Sequence, residues 1–313
     1  MVKGRAKGCV FTTFRVCVLV LVMLIAGGIC NGMKAEAGWY IDEYVNENVY
    51  DYGHNVNEGI MYKEVNWDVE DSIWIEPFLE YFIWKEFNKR GEVVVKETGF
   101  KAGAGISGIS NQNILGMDLL IFYEMYLFGG KTEYDGHTWG GDEIEGEGKY
   151  FGGKGEIELG IKELVFKGIL PYAGMGWDIW ERDLRKMEGD AIGYREIWGM
   201  FYCKAGMKMK IEEVKGSLVI DSWVGTDIVT RNRAKLSEVL PNSSDVTVNP
   251  DGAFFYGIEA DYRMDKFFVK LYYNYYRWKK SDPETAIIAG RVVTVYQPES
   301  EEKVFGLSIG FYF

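Results

Sequence analysis

Residues 304–313 read Val-Phe-Gly-Leu-Ser-Ile-Gly-Phe-Tyr-Phe. Phe305, Leu307, Ile309, Phe311 and Phe313 share one parity, while Gly306, Ser308 and Gly310 hold the other. A strand sends successive side chains to opposite faces, so one face here is wholly apolar and the other small or polar. At the edge of a soluble sheet such a strand would template aggregation. A sheet closed into a barrel, last strand against first, has no edge to protect. The stretch therefore reads as the closing strand of a barrel.

The same period of two governs the chain upstream, from about residue 72 onward. The first strand sets Ile73, Ile75, Leu79, Tyr81 and Ile83 against Glu76, Glu80 and Glu86, with Trp74, Phe78 and Phe82 on the polar parity. The next two set Phe100, Ala102, Ala104 and Ile106 against Lys101, Gly103, Gly105 and Ser107, then Met117, Leu119, Ile121, Tyr123, Met125 and Leu127 against Asp118 and Glu124. The pattern continues with Ile157, Leu159 and Ile161 opposite Lys154, Glu156 and Glu158, and Met175, Trp177 and Ile179 opposite Asp178, Trp180 and Arg182. Phe201, Cys203, Ala205 and Met207 face away from Lys204 and Lys208, and Ile220, Ser222 and Val224 from Asp221 and Trp223. Finally Tyr256, Ile258 and Ala260 alternate with Glu259, Asp261 and Arg263, and Val269, Leu271 and Tyr273 with Lys270 and Asn274.

Connections alternate between short ones near 112, 163, 213 and 265 and long ones near 139, 190, 241 and 290. The long ones are read as loops over about 129–149, 183–196, 230–252 and 279–302, and residues 88–92 form one short turn on that same side. Short periplasmic turns, long outer loops and an even strand count are the pattern of membrane barrels. The expected fold is all-β: a closed antiparallel up-and-down transmembrane β-barrel of about ten strands, within 8–12. A soluble β-sandwich would alternate too, but would bury the apolar face between its sheets.

With its terminal Phe313 behind alternating apolar residues, the closing strand resembles that of bacterial outer-membrane β-barrel proteins, of the small, OmpA-like or omptin-sized class. The resemblance implies a bacterial outer-membrane location. It also implies that Phe305, Leu307, Ile309, Phe311 and Phe313 form the signal read by the outer-membrane assembly machinery.

Residues 1–37 read as a signal peptide: Lys3, Arg5, Lys7 and Arg15, then an apolar run over 16–26, then Ala35-Glu36-Ala37. That run is shorter than the roughly 20 residues a spanning helix needs. Residues 38–71, acidic and rich in tyrosine, read as a periplasmic N-terminal segment or one tucked into the barrel mouth, and residues 72–313 as the barrel. Cys9, Cys17 and Cys30 lie in the leader, so Cys203 alone remains and no internal disulfide can form. The leader carries five bases and one acid, so its removal takes the formal charge from −12 to −16. Such acidity excludes nucleic acid as a partner. It suits outer loops that meet divalent cations or basic surfaces, so lipid and lipopolysaccharide are the expected surroundings. Aromatic residues make up 16% of the chain, enough for girdles at two membrane interfaces.

A ten-stranded barrel is too narrow for an open aqueous lumen, and isolated charges inside it would be costly. The polar parity therefore predicts a paired lumen network: Glu76, Glu80, Asp118, Glu124, Glu158, Asp178, Arg182, Lys204, Lys208, Asp221, Glu259, Asp261, Arg263 and Lys270. The expected role is structural or binding, non-enzymatic and without a cofactor. The first alternative is a narrow porin-like channel for small solutes; the second is a surface hydrolase of omptin or lipase type.

The omptin comparison is one of size and architecture. That chemistry needs an Asp–His pair facing an Asp pair across the mouth. Asp135-Gly136-His137 has Asp-x-His spacing, but no counterpart is visible. A lipase-type Ser–His pair would need a histidine beside Ser222, and none lies on a neighbouring strand. Asp135, Asp142, Glu143, Glu145 and Glu147 cluster among glycines in the second loop and are the candidates for a Ca²⁺ site, although their spacing is not that of a helix-flanked calcium loop. Trp139, Trp180 and Trp198 are assigned to the outer interface girdle.

Overall fold

A computed structural model describes Trp67 and residues 69–313, apart from 115, 138–141, 163–167, 190, 214 and 251. The signal peptide and nearly all of the 38–71 segment lie outside the described residues. Ten strands form one closed antiparallel sheet: β1 (Ser72–Phe87), β2 (Val93–Ile114), β3 (Met117–His137), β4 (Glu143–Ile161), β5 (Ile169–Met187), β6 (Arg195–Glu213), β7 (Gly216–Ala234), β9 (Phe254–Arg263), β10 (Phe267–Trp278) and β13 (Glu299–Tyr312). Each pairs with its neighbour in sequence, and β13 closes the sheet on β1, with Leu79 opposite Leu307 and Tyr81 opposite Phe305. Three short strands decorate the outer end. β8 (Val246–Val248) pairs with the top of β7, and β11 (Glu284–Ile288) forms a hairpin with β12 (Arg291–Val295).

The parity of β13 decides its two faces. Phe305, Leu307, Ile309 and Phe311 are exposed on the outside of the barrel, while Gly306, Ser308 and Gly310 are buried within it. Ile75, Leu79, Phe100, Ile106, Met125, Leu127, Ile157, Ile258 and Leu271 continue the exposed apolar surface around the wall. An apolar exterior on a closed barrel, with charges gathered inside, is the inverse of a sandwich. It is stable only where hydrocarbon, and not water, is the outer solvent.

The expected interface girdle is made of different residues. Outward aromatics meet across neighbouring strands at one height: Tyr81 with Phe100 at 5.3 Å between ring centroids, Tyr273 with Phe305 at 4.8 Å and Tyr256 with Tyr275 at 5.0 Å. Phe267 faces Phe311 in register at the opposite rim. Trp180 and Trp198 are not in the girdle; both are buried inside the barrel, and Trp139 lies outside the described residues. An inward residue at the end of an amphipathic strand sits at the same depth as a girdle residue, and parity alone separates the two.

The long loops are largely strand. The 129–149 segment is the top of a hairpin in which Lys131 faces Lys149 and Asp135 faces Glu145. β5 runs on to Met187, β6 begins at Arg195 and β13 begins at Glu299. About ten residues suffice to span a bilayer. β2 has 22 residues and β3 has 21, so this side of the wall rises well beyond the membrane, whereas β9 has only ten. Strand pairing satisfies the backbone there, and with polar side chains on both faces the segment shows no apolar alternation in the sequence.

At the periplasmic end Trp67 is buried with Trp74, Ile109, Leu120, Leu170, Val219 and Phe268 in an apolar floor. Asp71 accepts hydrogen bonds from the Asn111 backbone N–H at 2.6 Å and from Ser110 Oγ at 3.3 Å. The end of the N-terminal segment is thus tied to the barrel base.

Candidate functional site

The interior is layered. Above the apolar floor lies an ionic layer in which most carboxylates meet an ammonium. Lys270 Nζ is 2.7 Å from Glu76 and 3.8 Å from Glu259, and Glu76 also accepts from Ser308 at 2.5 Å and Tyr126 at 2.9 Å. Glu158 bridges Lys204 at 2.7 Å and Lys208 at 2.9 Å, and Lys204 also contacts Glu156. Lys208 reaches Asp221 at 2.5 Å, while Tyr172 donates to the other Asp221 oxygen at 2.9 Å. Arg263 pairs with Asp261 at 2.9 Å. Tyr126 OH lies 3.2 Å from Glu124. A void of 50 Å³ lies within this layer, room for a few waters.

An aromatic belt follows. Phe78, Phe82, Phe128, Tyr150, Tyr202, Trp223 and Phe255 belong to one buried cluster that reaches from β1 across to β9. Glu80 accepts from Tyr272 at 2.9 Å. Lys101 sits between Glu302, at 2.8 Å, and the Phe82 ring, whose centroid is 3.9 Å away. Asp178, half-buried, lies at this height opposite Lys154 in register. Above them four indoles meet. Trp180 stacks on Trp198 at 5.5 Å, and Trp84 lies 5.3 Å from both Trp198 and Trp278. Glycine on the inward face of β13 makes space for this filling: a Cβ at Gly306 would fall 2.0 Å from the Tyr272 ring and one at Gly310 1.9 Å from the Phe268 ring.

At the outer mouth Arg182 is the centre. Its Nε donates to Glu97 at 2.8 Å, its Nη2 contacts the same carboxylate, and its Nη1 donates to Glu86 at 3.1 Å and Glu196 at 2.9 Å. Neutral donors complete the shell. Trp84 Nε1 donates to Glu86, Trp198 Nε1 to Glu196, and Tyr150 and Thr132 hydroxyls to Glu97. All four charged side chains are buried. Over them lies a cavity of 380 Å³, roofed by the 3-10 turn Leu236–Glu238, β8 and β12.

That roof is stapled by its own charges. Asp245 accepts from Ser237 Oγ at 2.6 Å and pairs with Lys235 at 3.1 Å and Arg233 at 3.0 Å. The Ser237 hydroxyl first, and then Lys235, hold its carboxyl down at about 2. Arg195 contacts Glu238 and holds that carboxyl below its ordinary value.

Of the fourteen residues expected in the lumen, Asp118 lies elsewhere. It is exposed at the β2–β3 turn and accepts from Asn113 at 2.6 Å, because the strand crosses the periplasmic rim before that inward position can reach the interior. Three buried charges were not expected there: Glu97, Glu196 and Glu302. The sequence pattern places Glu196 and Glu302 in loops, at the ends of 183–196 and 279–302. The signal was present, since Glu196 precedes Trp198 by two and Glu302 precedes Val304 by two, on the inward parity of each strand.

Asp135 and His137 are exposed on the outward parity of β3, away from the mouth, and His137 Nδ1 lies 3.4 Å from Val94 O. Ser222 faces Met207 and Ile258 on its flanking strands. Asp142, Glu143 and Glu145 are exposed along the β3–β4 hairpin, and Glu147 is engaged by Lys131 at 3.4 Å and Lys186 at 3.6 Å. Among the described residues no group of three or more His, Cys, Asp or Glu side chains is gathered as a metal site.

No protein-family model and no curated protein sequence matches the chain. Among solved structures it is similar to the outer membrane protease OmpT from Escherichia coli, at 9% identity over 78% of this chain and 96% of that one, with a TM-score of 0.45. It is also similar to the transport unit of the autotransporter AIDA-I from Escherichia coli, at 10% identity over 84% and 94% with a TM-score of 0.44. The translocator domain of the autotransporter NalP from Neisseria meningitidis gives 9% identity over 77% and 88%, with a TM-score of 0.41. The chain's own geometry, a closed ten-stranded wall that is apolar outside and charged inside, is that of a transmembrane β-barrel.

Proposed function

We propose that this barrel is a surface binding or structural protein whose lumen does not conduct. The observation that carries this reading is the continuous inward filling: apolar floor, ionic layer, aromatic belt and indole cluster, stacked one on another. Conduction needs a file of sites that an ion can enter and leave. Here the ammonium and carboxylate groups are already engaged with each other, and the belt above them is packed with rings. The exposed acids of the β3–β4 hairpin, Glu133, Asp135, Glu143 and Glu145, make the projecting wall the surface that meets basic or cation-bridged partners. Lipid and lipopolysaccharide are the proposed surroundings of the apolar belt. The outward row from Phe305 to Phe313 is the proposed contact for the outer-membrane assembly machinery.

The test is single-channel recording with purified, folded barrel in planar bilayers. The expected result is a silent membrane at both polarities. Stepwise currents that persist across preparations would overturn the reading in favour of a narrow channel.

A further inference from the structure

The outer-mouth cavity has a chemistry of its own. Its volume of 380 Å³ is in the range of small-molecule sites. Most of its lining is apolar, including Val95, Leu184, Leu236 and Val248. Its polar side is acceptor-rich. Glu86 and Glu196 line it, and the guanidinium that lines it among the described residues, Arg182, already donates to three carboxylates. An anion would find carboxylates and few unused N–H groups. Asn232 also lines the cavity and is only 2% exposed. Its amide nitrogen donates to Gln297 at 2.8 Å, yet its Oδ1 has no partner. A buried acceptor without a donor is costly, because it has given up water and gained nothing in return. Two carboxylates and one unpartnered carbonyl beside an apolar chamber call for a cationic donor on an apolar body.

We infer that the outer-mouth cavity is a binding site for an organic cation, an ammonium carried on a compact apolar group. The charged head lies against Glu86 and Glu196, within reach of Asn232. The apolar body fills the space beneath Leu236 and Val248. The inference deepens the binding role proposed above and rests on it only for its biological sense. A conducting barrel that still bound ammonium would overturn the non-conducting reading alone. A silent barrel that bound none would overturn this inference alone.

The experiment is isothermal titration of the whole barrel in lipid nanodiscs with phenethylammonium, using phenylacetate and phenylethanol as matched probes and empty nanodiscs as blank. Saturable binding of the ammonium, at least about tenfold tighter than the acid or the alcohol, is expected; a factor of ten is 1.4 kcal/mol. Glu196→Gln should weaken it by a similar factor. Because that change touches the Arg182 cluster, a second variant guards against misfolding: Leu236→Trp fills the apolar half from the roof and leaves every charge in place. It should abolish binding in a barrel that still folds. Equal binding of phenylacetate, unchanged binding in Leu236→Trp, or no saturable heat with the ammonium would each overturn the site.

Discussion

The ionic layer near the periplasm and the Arg182 cluster at the outer mouth solve one problem in two ways. Both bury carboxylates in a narrow barrel. In the lower layer the cations are distributed: Glu158 has two lysines, Asp221 has Lys208, and Glu76 has Lys270. At the mouth one guanidinium serves three carboxylates, and indole, phenol and hydroxyl groups supply the remaining donors. A planar guanidinium can do this because its five N–H groups form a fixed fork, which an ammonium does not offer. The lower layer spreads its dependence over Lys204, Lys208 and Lys270. The mouth concentrates its dependence on one side chain and leaves acceptor capacity beside a cavity.

That contrast predicts unequal costs. Arg182→Met leaves Glu86, Glu97 and Glu196 buried without a cation, and the loss should be about 3–5 kcal/mol. Lys270→Met leaves Glu76 with the Ser308 and Tyr126 donors, and the loss should be nearer 2–3 kcal/mol. Urea unfolding of the barrel in lipid vesicles, followed by tryptophan fluorescence, ranks the two. A Lys270→Met barrel as unstable as Arg182→Met would show that the mouth has no special dependence on its arginine.

Packing offers a sharper contrast between faces than between heights. Gly310 faces inward beneath the Phe268 ring, whereas the nearest atom to a Cβ at Gly199 is Ile179 Cγ1 at 3.9 Å. Gly310→Val should cost about 1–3 kcal/mol by overpacking. Gly199→Val, on the outer face, should change the unfolding midpoint little. Equal losses at the two sites would mean that the interior yields as readily as the lipid.

The wall was largely legible in the sequence, because lipid enforces an alternation of apolar residues that water does not. Phe305 to Phe313 fixed the outward parity of β13, and the same rule located Glu76, Glu158, Lys204 and Lys270 on the inner face. The rule lost its grip where the strands leave the hydrocarbon. Above the membrane both faces of a strand can be polar, so Lys131–Asp135 and Glu143–Lys149 look like loop although they pair in register. Glu196 and Glu302 were missed for that reason. Trp180 and Trp198 were misplaced for a different one: composition shows that indoles are abundant, and parity alone shows which way they point. Individual ion pairs such as Lys101–Glu302, 201 residues apart, depend on barrel tilt and closure, which no local pattern carries.

The smallest expected effect concerns the roof over the mouth, and it depends on pH. Asp245 holds the 3-10 turn through Ser237 and the strand end through Lys235 and Arg233, and its carboxyl is lowered from 3.8 to about 2. A group with a depressed folded pKa lends stability above its unfolded value and loses it as pH falls through the folded one. The roof should therefore stay in place down to about pH 4 and loosen between about 4 and 2. Because the group is close to the surface, the effect is local and leaves the barrel standing. Limited digestion of the 236–252 segment by pepsin on intact barrels reads it, with cleavage rising across that window. With rates divided by those of an unfolded reference peptide digested alongside, to remove pepsin's own pH dependence, Asp245→Asn should be cleaved at the same relative rate across the whole range. A wild-type segment equally resistant at both ends would show that the apolar contacts of Leu236 and Val248, and not the Asp245 staple, hold the roof down.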